Sequence, residues 1–326
     1  MSTAAVHHVP GDPGTRWIKE PGFVIDVQDD SGRWKALTPN VVAAPGGYRM
    51  YYTLVGPGRD YAAAAGSVMS AFSADGERWT IEPGVRLAPF GPHADLRVVC
   101  PDVIPLDGGG HRMYVEGQPG NGPANIVSAH SIDGLKWEPE PGLRFGDGRR
   151  RYGSPRVLFA SDAPGARDRY RLYLHSYSNP LRLGPDAGNH IISAVSADGL
   201  TFEREAGVRI AQESALESFA VYAPEVLRLG TGGYRMYYAG WTADPVRGRI
   251  FSARSLDGLA WTKDEAPNLE PGGPGRFDAE KCSEPCVIQL PDGRFRMFYE
   301  ACDEHQVWRI LSATAPLDRS RVTLAP

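Results

Sequence analysis

The sequence predicts an all-β fold, a five-bladed propeller with four strands in each blade, and three observations support this prediction. A unit of short strands and turns recurs five times along the 326 residues, which is typical of propellers. The 38 glycines and 28 prolines are spread along the whole chain, which indicates many tight turns and argues against a helical bundle. Residues 17–25 match the fourth strand that the last unit lacks.

Each unit is recognised by motifs that come in the same order. The first strand carries x-Pro-x-Val, at Thr38–Val41, Cys100–Val103, Ser154–Val157, Ala223–Val226 and Glu284–Val287. The second strand carries an aromatic-Arg motif, at Tyr48–Tyr52, His111–Val115, Tyr170–Leu174, Tyr234–Tyr238 and Phe295–Tyr299. The third strand contains Ser-Ala and leads, in the first four units, through a Ser-x-Asp-Gly turn into the fourth strand. A β-sandwich would not explain five copies of one four-stranded unit.

The two ends of the chain predict how the ring closes. Trp17–Ile25 shares Trp, Glu, Pro and Gly with the fourth strand of the first unit, Trp79–Leu87. We therefore expect one domain, residues 1–326, in which 17–25 complete the last blade and 1–16 form a flexible N-terminal segment. Closure of this kind removes an exposed sheet edge.

Composition excludes several classes of partner. The formal net charge is −4, from 35 Lys+Arg and 39 Asp+Glu, and no block of basic residues is present, so we expect no nucleic-acid partner. No apolar stretch approaches the ~20 residues of a membrane span, so we expect no membrane partner. The N-terminus lacks the pattern of a secretion signal and the chain has only 4 cysteines, which together predict a cytoplasmic protein. The oligomeric state stays open.

Candidate site residues come from positions that differ between the units. In every unit the Val of the x-Pro-x-Val motif is expected to face the Met or Leu of the aromatic-Arg motif. Three residues outward from this apolar pair on each strand, the facing positions are Thr38/Thr53, Cys100/Glu116, Ser154/His175, Ala223/Ala239 and Glu284/Glu300. Directly opposed strand residues have Cβ atoms about 4.5–5.5 Å apart, so Glu284 and Glu300 are the first catalytic candidates and Glu116 the third. Glycoside hydrolysis needs two carboxyl groups of this kind, and structural ion pairs with arginine are the alternative role.

Substrate-binding candidates surround these glutamates. His190, Arg249 and Arg309 begin the third strand of their units and are predicted to converge on a central funnel, where they favour an anionic or hydroxyl-rich ligand. Trp241 and Trp308 offer indole faces for stacking on a sugar. The remaining binding candidates are His175, Arg156, Asn40 and Glu225. We expect no cofactor and assign no metal ligands, although His190 could bind a cation as well as a substrate hydroxyl.

The blade pattern, the N-terminal closing strand and the Ser-x-Asp-Gly turns resemble the five-bladed glycosidase clan of arabinanases, β-xylosidases, invertases and levansucrases, and the related phosphorylases. The resemblance covers nearly the whole chain. In that clan an acidic residue stands at or near the proline of the first two blades, and a Glu in the third is the general acid. The corresponding segments here are Thr38–Asn40, Cys100–Asp102 and Gly153–Arg156, so only Asp102 is acidic, which makes it the fourth catalytic candidate.

The resemblance implies a carbohydrate-active enzyme that acts on a glycoside or sugar derivative by acid/base catalysis in the funnel. Two alternatives remain open at this stage. One is a non-hydrolytic enzyme, such as a cyclase, lyase or isomerase, on the same scaffold, and the other is a sugar-binding protein without catalysis.

Overall fold

The structure is a computed structural model that describes residues 8–28, 34–57, 64–163, 165–177 and 189–315. In these ranges the chain is almost entirely β, with 21 strands and one short 3₁₀ helix, Ala215–Glu217. The same ranges contain no helix with the length and apolar character needed to cross a membrane. Gly-Gly and Asp-Gly turns join the strands, as expected from the abundance of glycine.

The strands pair as antiparallel meanders, which we call units one to five. Unit one is β3 (Lys35–Ala44), β4 (Gly47–Val55), β5 (Gly66–Ser73) and β6 (Thr80–Leu87). Unit two is β7 (Arg97–Pro105), β8 (His111–Gln118), β9 (Asn125–Ser131) and β10 (Glu138–Pro139). Unit three is β11 (Arg151–Phe159), β12 (Tyr170–Tyr177), β13 (His190–Ser196) and β14 (Glu203–Arg204).

The last two units involve the N-terminal strands β1 (His8–Val9) and β2 (Ile18–Lys19). Unit four is β15 (Ala220–Leu229), β16 (Tyr234–Ala243), β17 (Val246–Ser255) and β18 (Thr262–Lys263), and β1 adds to its inner edge in parallel with β15. Unit five is β19 (Lys281–Gln289), β20 (Phe295–Cys302), β21 (Trp308–Ala315) and β2.

Neighbouring units pack through one repeated aromatic contact. Each aromatic-Arg motif has an aromatic residue at its fourth position. Its ring packs edge to face against the Trp or Phe that stands just before the fourth strand of the next unit. The pairs are Tyr51–Trp137, Tyr114–Phe202, Tyr173–Trp261, Tyr237–Trp17 and Phe298–Trp79, with ring centroids 5.4–6.0 Å apart. The last pair leads from unit five back to unit one, so these contacts follow a closed circle.

A second repeated contact joins the second and fourth strands within each unit. The motif arginine pairs with an acidic residue of the fourth strand or the loop after it, and the pairs are Arg49–Glu82, Arg112–Glu140, Arg171–Glu205, Arg235–Asp264 and Arg296–Glu20. In unit five the acid therefore comes from the N-terminal segment, which also supplies the fourth strand. Sequence reasoning had not assigned a role to these arginines.

The first strands contain a β-bulge at every x-Pro step. The residue before each proline has a positive φ, with values of 52° at Thr38, 54° at Cys100, 47° at Ser154, 52° at Ala223 and 49° at Glu284. The bulge shifts the register, so Glu300 is opposite Ser283, and Glu116 is opposite Val99. The prediction that Glu284 is directly opposite Glu300, and Cys100 directly opposite Glu116, is therefore wrong by one residue, because it assumed a regular strand pairing without a bulge.

The N-terminal residues make more contacts than the sequence predicts. Residues 17–25 pair with β21 as expected, through Ile18 with Thr314 and a bridge between Ile25 and Ile310. The structure differs over residues 8–16, which were expected to be flexible. Here the Asp12 carboxylate pairs with the buried Arg235 at 2.5 Å, and the Tyr237 hydroxyl donates to the carbonyl of Gly14 at 2.6 Å.

The five first strands meet at a buried guanidinium. Arg156 Nε donates to Glu225 at 2.8 Å, and the terminal nitrogens donate to the carbonyls of Pro101 at 3.1 Å, Pro39 at 3.3 Å and Pro285 at 3.5 Å. Because Arg156 itself belongs to β11, one side chain contacts all five first strands.

The residues equivalent to Arg156 in the other units connect each first strand to the next. The bonds run from Val103 N to Asn40 at 3.1 Å, Val157 N to Asp102 at 2.7 Å, Val287 N to Glu225 at 2.8 Å and Val41 N to Cys286 Sγ at 3.2 Å. We call Asn40, Asp102, Arg156, Glu225 and Cys286 the axial network. All five side chains are buried.

Replacement of Arg156 by methionine is expected to lower the free energy of unfolding by about 3–5 kcal/mol, because it leaves buried carboxylates without their cation. Urea unfolding at pH 7 measures the change. Arg78→Met is the matched control, since the Arg78 side chain is 92% exposed, and its effect should stay within about 0.5 kcal/mol. Equal stability of the two variants would show that the axial network is dispensable.

Removal of residues 1–14 tests whether this segment is flexible, as the sequence predicts, or stabilises the fold, as its contacts in the structure indicate. If only residues 17–25 closed the ring, this truncation would leave stability unchanged. The contacts of Asp12 and Gly14 instead predict a loss on the order of 2 kcal/mol, because Arg235 and the Tyr237 hydroxyl lose partners. Thermal unfolding of the truncated and full-length chains decides between them. Asp12→Asn in the full-length chain isolates the contribution of the ion pair.

Candidate active site

A cavity of about 480 Å³ opens where the bulged ends of the first strands meet. Four of the five positive-φ residues that precede the x-Pro prolines line it, namely Thr38, Cys100, Ser154 and Glu284. Because a bulge redirects the side chain at the irregular position, these residues face the cavity together with second-strand residues. The second strands contribute Glu116, His175, Tyr177, Trp241 and Glu300.

Glu284 and Glu300 are buried together on unit five. Glu284 Oε1 accepts a hydrogen bond from Ser154 Oγ at 3.3 Å, and Glu300 accepts from Ser283 Oγ at 2.8 Å and from the Thr38 amide at 3.3 Å. Burial raises the pKa of Glu284 well above its ordinary value, and the charge of Glu300 raises it further. Burial also raises the pKa of Glu300 to about 7, against the hydrogen bonds from Ser283 and Thr38. Both groups can therefore carry a proton near neutral pH.

Glu116 approaches the same cavity from unit two. Its pKa is raised by burial, while the Arg97 charge and hydrogen bonds from the Ser154 amide and Tyr177 hydroxyl favour the ionised form. The Tyr177 bond measures 3.3 Å. A Cβ atom at Gly153 would lie 2.0 Å from Glu116 Oε2, so the glycine leaves the space that this carboxyl group occupies. Ser154 thus contacts Glu116 through its amide and Glu284 through its hydroxyl.

His175 lies in an aromatic wall of the cavity. Its ring stacks on Tyr177 at 4.2 Å with an interplanar angle of 8°, and Tyr222 packs 5.7 Å away. Burial lowers the pKa of His175 to about 3, so the ring is neutral at physiological pH. Within the described residues its buried Nδ1 has no hydrogen-bond partner. The ring can therefore serve as a neutral hydrogen-bonding group toward a ligand.

Trp241 and Trp308, which the sequence predicted as stacking surfaces, also line the cavity. Between them stands Lys281, whose Nζ lies 4.9 Å from the Trp241 ring centroid and 4.8 Å from that of Trp308. Tyr222 meets Trp241 edge to face at 5.5 Å. The wall is thus aromatic with one cation at its centre.

Several predicted site residues lie outside this cavity. Asn40, Asp102, Arg156 and Glu225 belong to the axial network, and their hydrogen bonds go to the chain itself. Asp102 is 0% exposed and does not line the cavity, which separates it from the three glutamates. These four polar side chains alternate with apolar core residues along their strands. Such alternation is the same for a buried structural network and for a ligand-binding site, so the sequence could not tell the two apart.

The three residues that begin the third strands do not converge on the cavity either. Arg249 pairs with Glu270 at 3.3 Å, and Arg309 pairs with Asp26 at 2.8 Å. His190 is half-buried, and burial lowers its pKa to about 4. His190 is paired with Ser176, Arg249 with Gly240 and Arg309 with Ala301. Each of these second-strand partners is the sequence neighbour of a residue that lines the cavity. Since successive strand side chains point to opposite faces, the cavity is on the other side.

Sequence reasoning missed several residues that line the cavity, including Tyr177, Tyr222, Phe219, Lys35 and Lys281. A signal was present for Tyr222, since it directly precedes the Ala223 x-Pro step. Lys281 stands two residues before Ser283, which is opposite Glu300 in the regular part of the ladder, so its side chain lies on the same face as Glu300. Among the residues described, no group of three His, Cys, Asp or Glu side chains is arranged to hold a metal ion.

No family model matches the sequence. Two uncharacterised proteins, from two strains of Mycobacterium tuberculosis, are similar to parts of it, with 33% identity over 119 residues and 30% identity over 132 residues. The matched segments cover 35% and 39% of this chain. They span 37% and 42% of the relatives, well under two thirds of either protein.

Solved structures resemble the fold over nearly the whole chain. The protein BT0996, solved in an RGII complex, gives a TM-score of 0.76 at 18% identity, over 94% of each of the two proteins. A glycoside hydrolase gives 0.75 at 18% identity, over 95% of this chain and 96% of that one.

A third solved structure comes from work on the GH130 family of mannoside phosphorylases, which contains glycoside hydrolases that target β-1,2-mannosidic linkages in Candida mannan. It gives a TM-score of 0.71 at 12% identity, over 94% of this chain and 96% of that one. At such identities the likeness shows the fold alone, which is that of glycosidase-like propeller proteins.

The raised pKa of Glu300 predicts how stability depends on pH. In the unfolded chain this carboxyl group ionises near its ordinary value of 4.5, whereas in the folded chain it holds its proton to about 7. The folded state therefore binds the extra proton between these values, so stability should fall as pH rises through this window. Glu300→Gln should flatten that fall and be more stable than the parent at pH 8.

The control for this experiment is Glu203→Gln, because the Glu203 side chain is 67% exposed and stands on the outer strand β14. It should reproduce the parent pH profile. A Glu300→Gln profile that still falls as steeply as the parent would mean that Glu300 is ionised at neutral pH.

Proposed function

We propose that this protein is a carbohydrate-active enzyme that acts on a glycoside or sugar derivative by acid/base catalysis in the cavity. The observation that carries the proposal is the meeting of three buried glutamates, Glu116, Glu284 and Glu300, in one aromatic-lined cavity. Buried acids with raised pKa values, gathered in a cleft, are typical of catalytic sites.

The environments of the glutamates suggest separate roles. Glu284 has the strongest tendency to stay protonated, because it is buried and faces Glu300, and this suits a general acid. Glu116 receives hydrogen bonds from an amide and a hydroxyl and lies near Arg97, which suits the ionised partner, either a base or a nucleophile. Glu300 loses its proton near neutral pH and so sets the electrostatic state of Glu284.

The walls of the cavity support a sugar as the ligand. Trp241, Trp308 and Tyr222 present ring surfaces that can pack on the apolar face of a pyranose, and the neutral His175 ring lines the same cavity, with a buried Nδ1 that has no hydrogen-bond partner among the described residues. The similar solved proteins point the same way, since one belongs to a study of enzymes that target β-1,2-mannosidic linkages and another is in an RGII complex.

We also propose that the ring is one domain, a five-bladed propeller in which the N-terminal strand completes the last blade. Three sets of contacts support this. The aromatic pairs and the axial hydrogen bonds both lead from unit five back to unit one, and β2 pairs with β21. A cytoplasmic location is part of the proposal, supported by four buried cysteines that form no disulfides.

A non-hydrolytic enzyme, such as a cyclase, lyase or isomerase, is the second candidate. The observation that favours it is the location of the carboxyl groups. The resembled clan has acids on the first three blades, whereas the cavity here receives its acids from units two and five. Such a change can accompany a change of reaction on the same fold.

Replacement of Glu284, Glu116 or Glu300 by glutamine tests the proposal, because glutamine keeps the shape of glutamate and cannot transfer the proton. Each of the first two changes should reduce turnover by about 10² to 10⁴, and Glu300→Gln should also change the pH profile. Incubation with a panel of plant and fungal oligosaccharides, followed by mass spectrometry, measures turnover. Products whose summed mass exceeds the substrate by one water indicate hydrolysis, and a product of unchanged mass indicates isomerisation.

Glu203→Gln is the control for turnover and should be as active as the parent. Calorimetry on the glutamine variants separates catalysis from binding, since an acid or base variant should still bind the oligosaccharide. If all three glutamine variants turn over substrate at the parent rate, the glutamates are not catalytic. If the parent binds a sugar and converts none of the panel, the protein is a sugar-binding module.

A further inference from the structure

Lys281 is a buried cation at the cavity that the proposed reaction does not use. It begins β19, pairs in the sheet with Cys302 and is 8% exposed. Its side chain reaches between the two indole rings of Trp241 and Trp308 and lines the cavity. The ammonium group therefore makes a cation–π contact with each of the two rings.

This ammonium group lacks the partners that other buried or half-buried lysines have. Lys263 pairs with Glu217 at 2.8 Å, and Lys19 pairs with Asp278 at 2.5 Å. Among the described residues Lys281 forms no ion pair and no hydrogen bond from Nζ, and its contacts there are the two rings. An indole face attracts a cation but offers no lone pair to its three N–H donors. Those donors are therefore available to a molecule in the cavity.

The nearby glutamates Glu300 and Glu284 do not form an ion pair with the Lys281 ammonium group. The charge of Lys281 lowers the pKa of Glu300, but burial outweighs this effect and leaves the pKa at about 7. Glu284 stays protonated to higher pH. Around neutral pH, Glu284 therefore carries little negative charge and Glu300 is only partly ionised, so these two acids offset the charge of Lys281 only in part.

We propose that Lys281 binds an anionic oxygen group of the ligand, so that the substrate of the proposed enzyme is an acidic sugar whose uronate carboxylate lies between Trp241 and Trp308. The inference rests on the proposed function and narrows its substrate class. A phosphate group presents the same acceptor chemistry and would use the same ammonium group. The sugar ring of either ligand can pack on one of the indole faces while the anion meets Nζ.

Titration of tryptophan fluorescence tests this directly, because the two indoles flank the site. The probes are D-glucuronate, D-glucose and inorganic phosphate at equal ionic strength. Glucuronate should bind at least about 10-fold more tightly than glucose, which differs from it only at C6. Lys281→Met keeps the length of the side chain and removes the charge, so it should weaken glucuronate binding by about 10- to 100-fold and leave glucose binding unchanged.

Lys136→Met, at an exposed lysine of a turn in unit two, is the matched control and should bind every probe as the parent does. Binding of phosphate alone, lost in Lys281→Met, would assign the anion as phosphate and support the site. Equal affinity of the parent for glucuronate, phosphate and glucose, or undiminished anion binding by Lys281→Met, would overturn it. If Lys281→Met does not fold, the ratio of glucuronate to glucose affinity in the parent, and its decrease at high salt, decides the question.

The outcome is separate from that of the glutamine variants. If turnover needs the glutamates and no anion is preferred, the enzyme acts on neutral sugars and only the assignment of Lys281 fails. If anions bind through Lys281 and none of the glutamates is needed, the site binds acidic sugars and the proposed catalysis fails.

Discussion

The Arg156 guanidinium contacts all five first strands, through the carbonyls of three prolines, the carboxylate of Glu225 and its own strand. Strands that converge on one axis bring the backbone carbonyls of their x-Pro steps close together, and those carbonyls need donors in a region without water. A planar guanidinium with five N–H groups can serve several of them at once. The cost of burying this charge is offset by the paired carboxylates of Asp102 and Glu225.

The cavity depends on this junction. Each proline whose carbonyl faces the axis follows a residue with positive φ, and that backbone conformation is normally unfavourable for residues other than glycine. The ring of contacts that holds the strands together also holds these five residues in place. Four of their side chains, those of Glu284, Ser154, Cys100 and Thr38, are thereby redirected from the sheet into the cavity, where they meet the second-strand glutamates. Cavity-lining side chains and axial-network side chains thus stand on either side of the proline in the same short motif.

The electrostatics of the cavity follow from the same arrangement. The axial network pairs its own charges, and although Arg156 lowers the pKa of Glu284, burial and the charge of Glu300 outweigh this effect. The carboxyl groups above the network are left with neutral hydrogen-bond donors and aromatic neighbours, which favours their protonated forms. The Lys281 ammonium group contacts two indole rings, and its charge lowers the pKa of Glu300 without outweighing burial. One cavity can therefore contain proton donors and an unneutralised cation at the same pH.

The sequence by itself determined the recurring order of the strands within the units and indicated that residues 17–25 pair with β21, because these features depend on local patterns of turns and alternating residues. It also brought Glu116, Glu284, Glu300, His175 and the two tryptophans forward as candidates, since they break the repeat. Tertiary structure decided which variable positions face the cavity. A bulge at each x-Pro step shifts the ladder by one residue, and a shift of one residue exchanges the two faces of a strand. That shift, which periodicity does not reveal, placed Asp102 and Arg156 in the axial network and Cys100 and Glu284 at the cavity, whereas Arg249 and Arg309 lie outside because side chains alternate along their regularly paired strands.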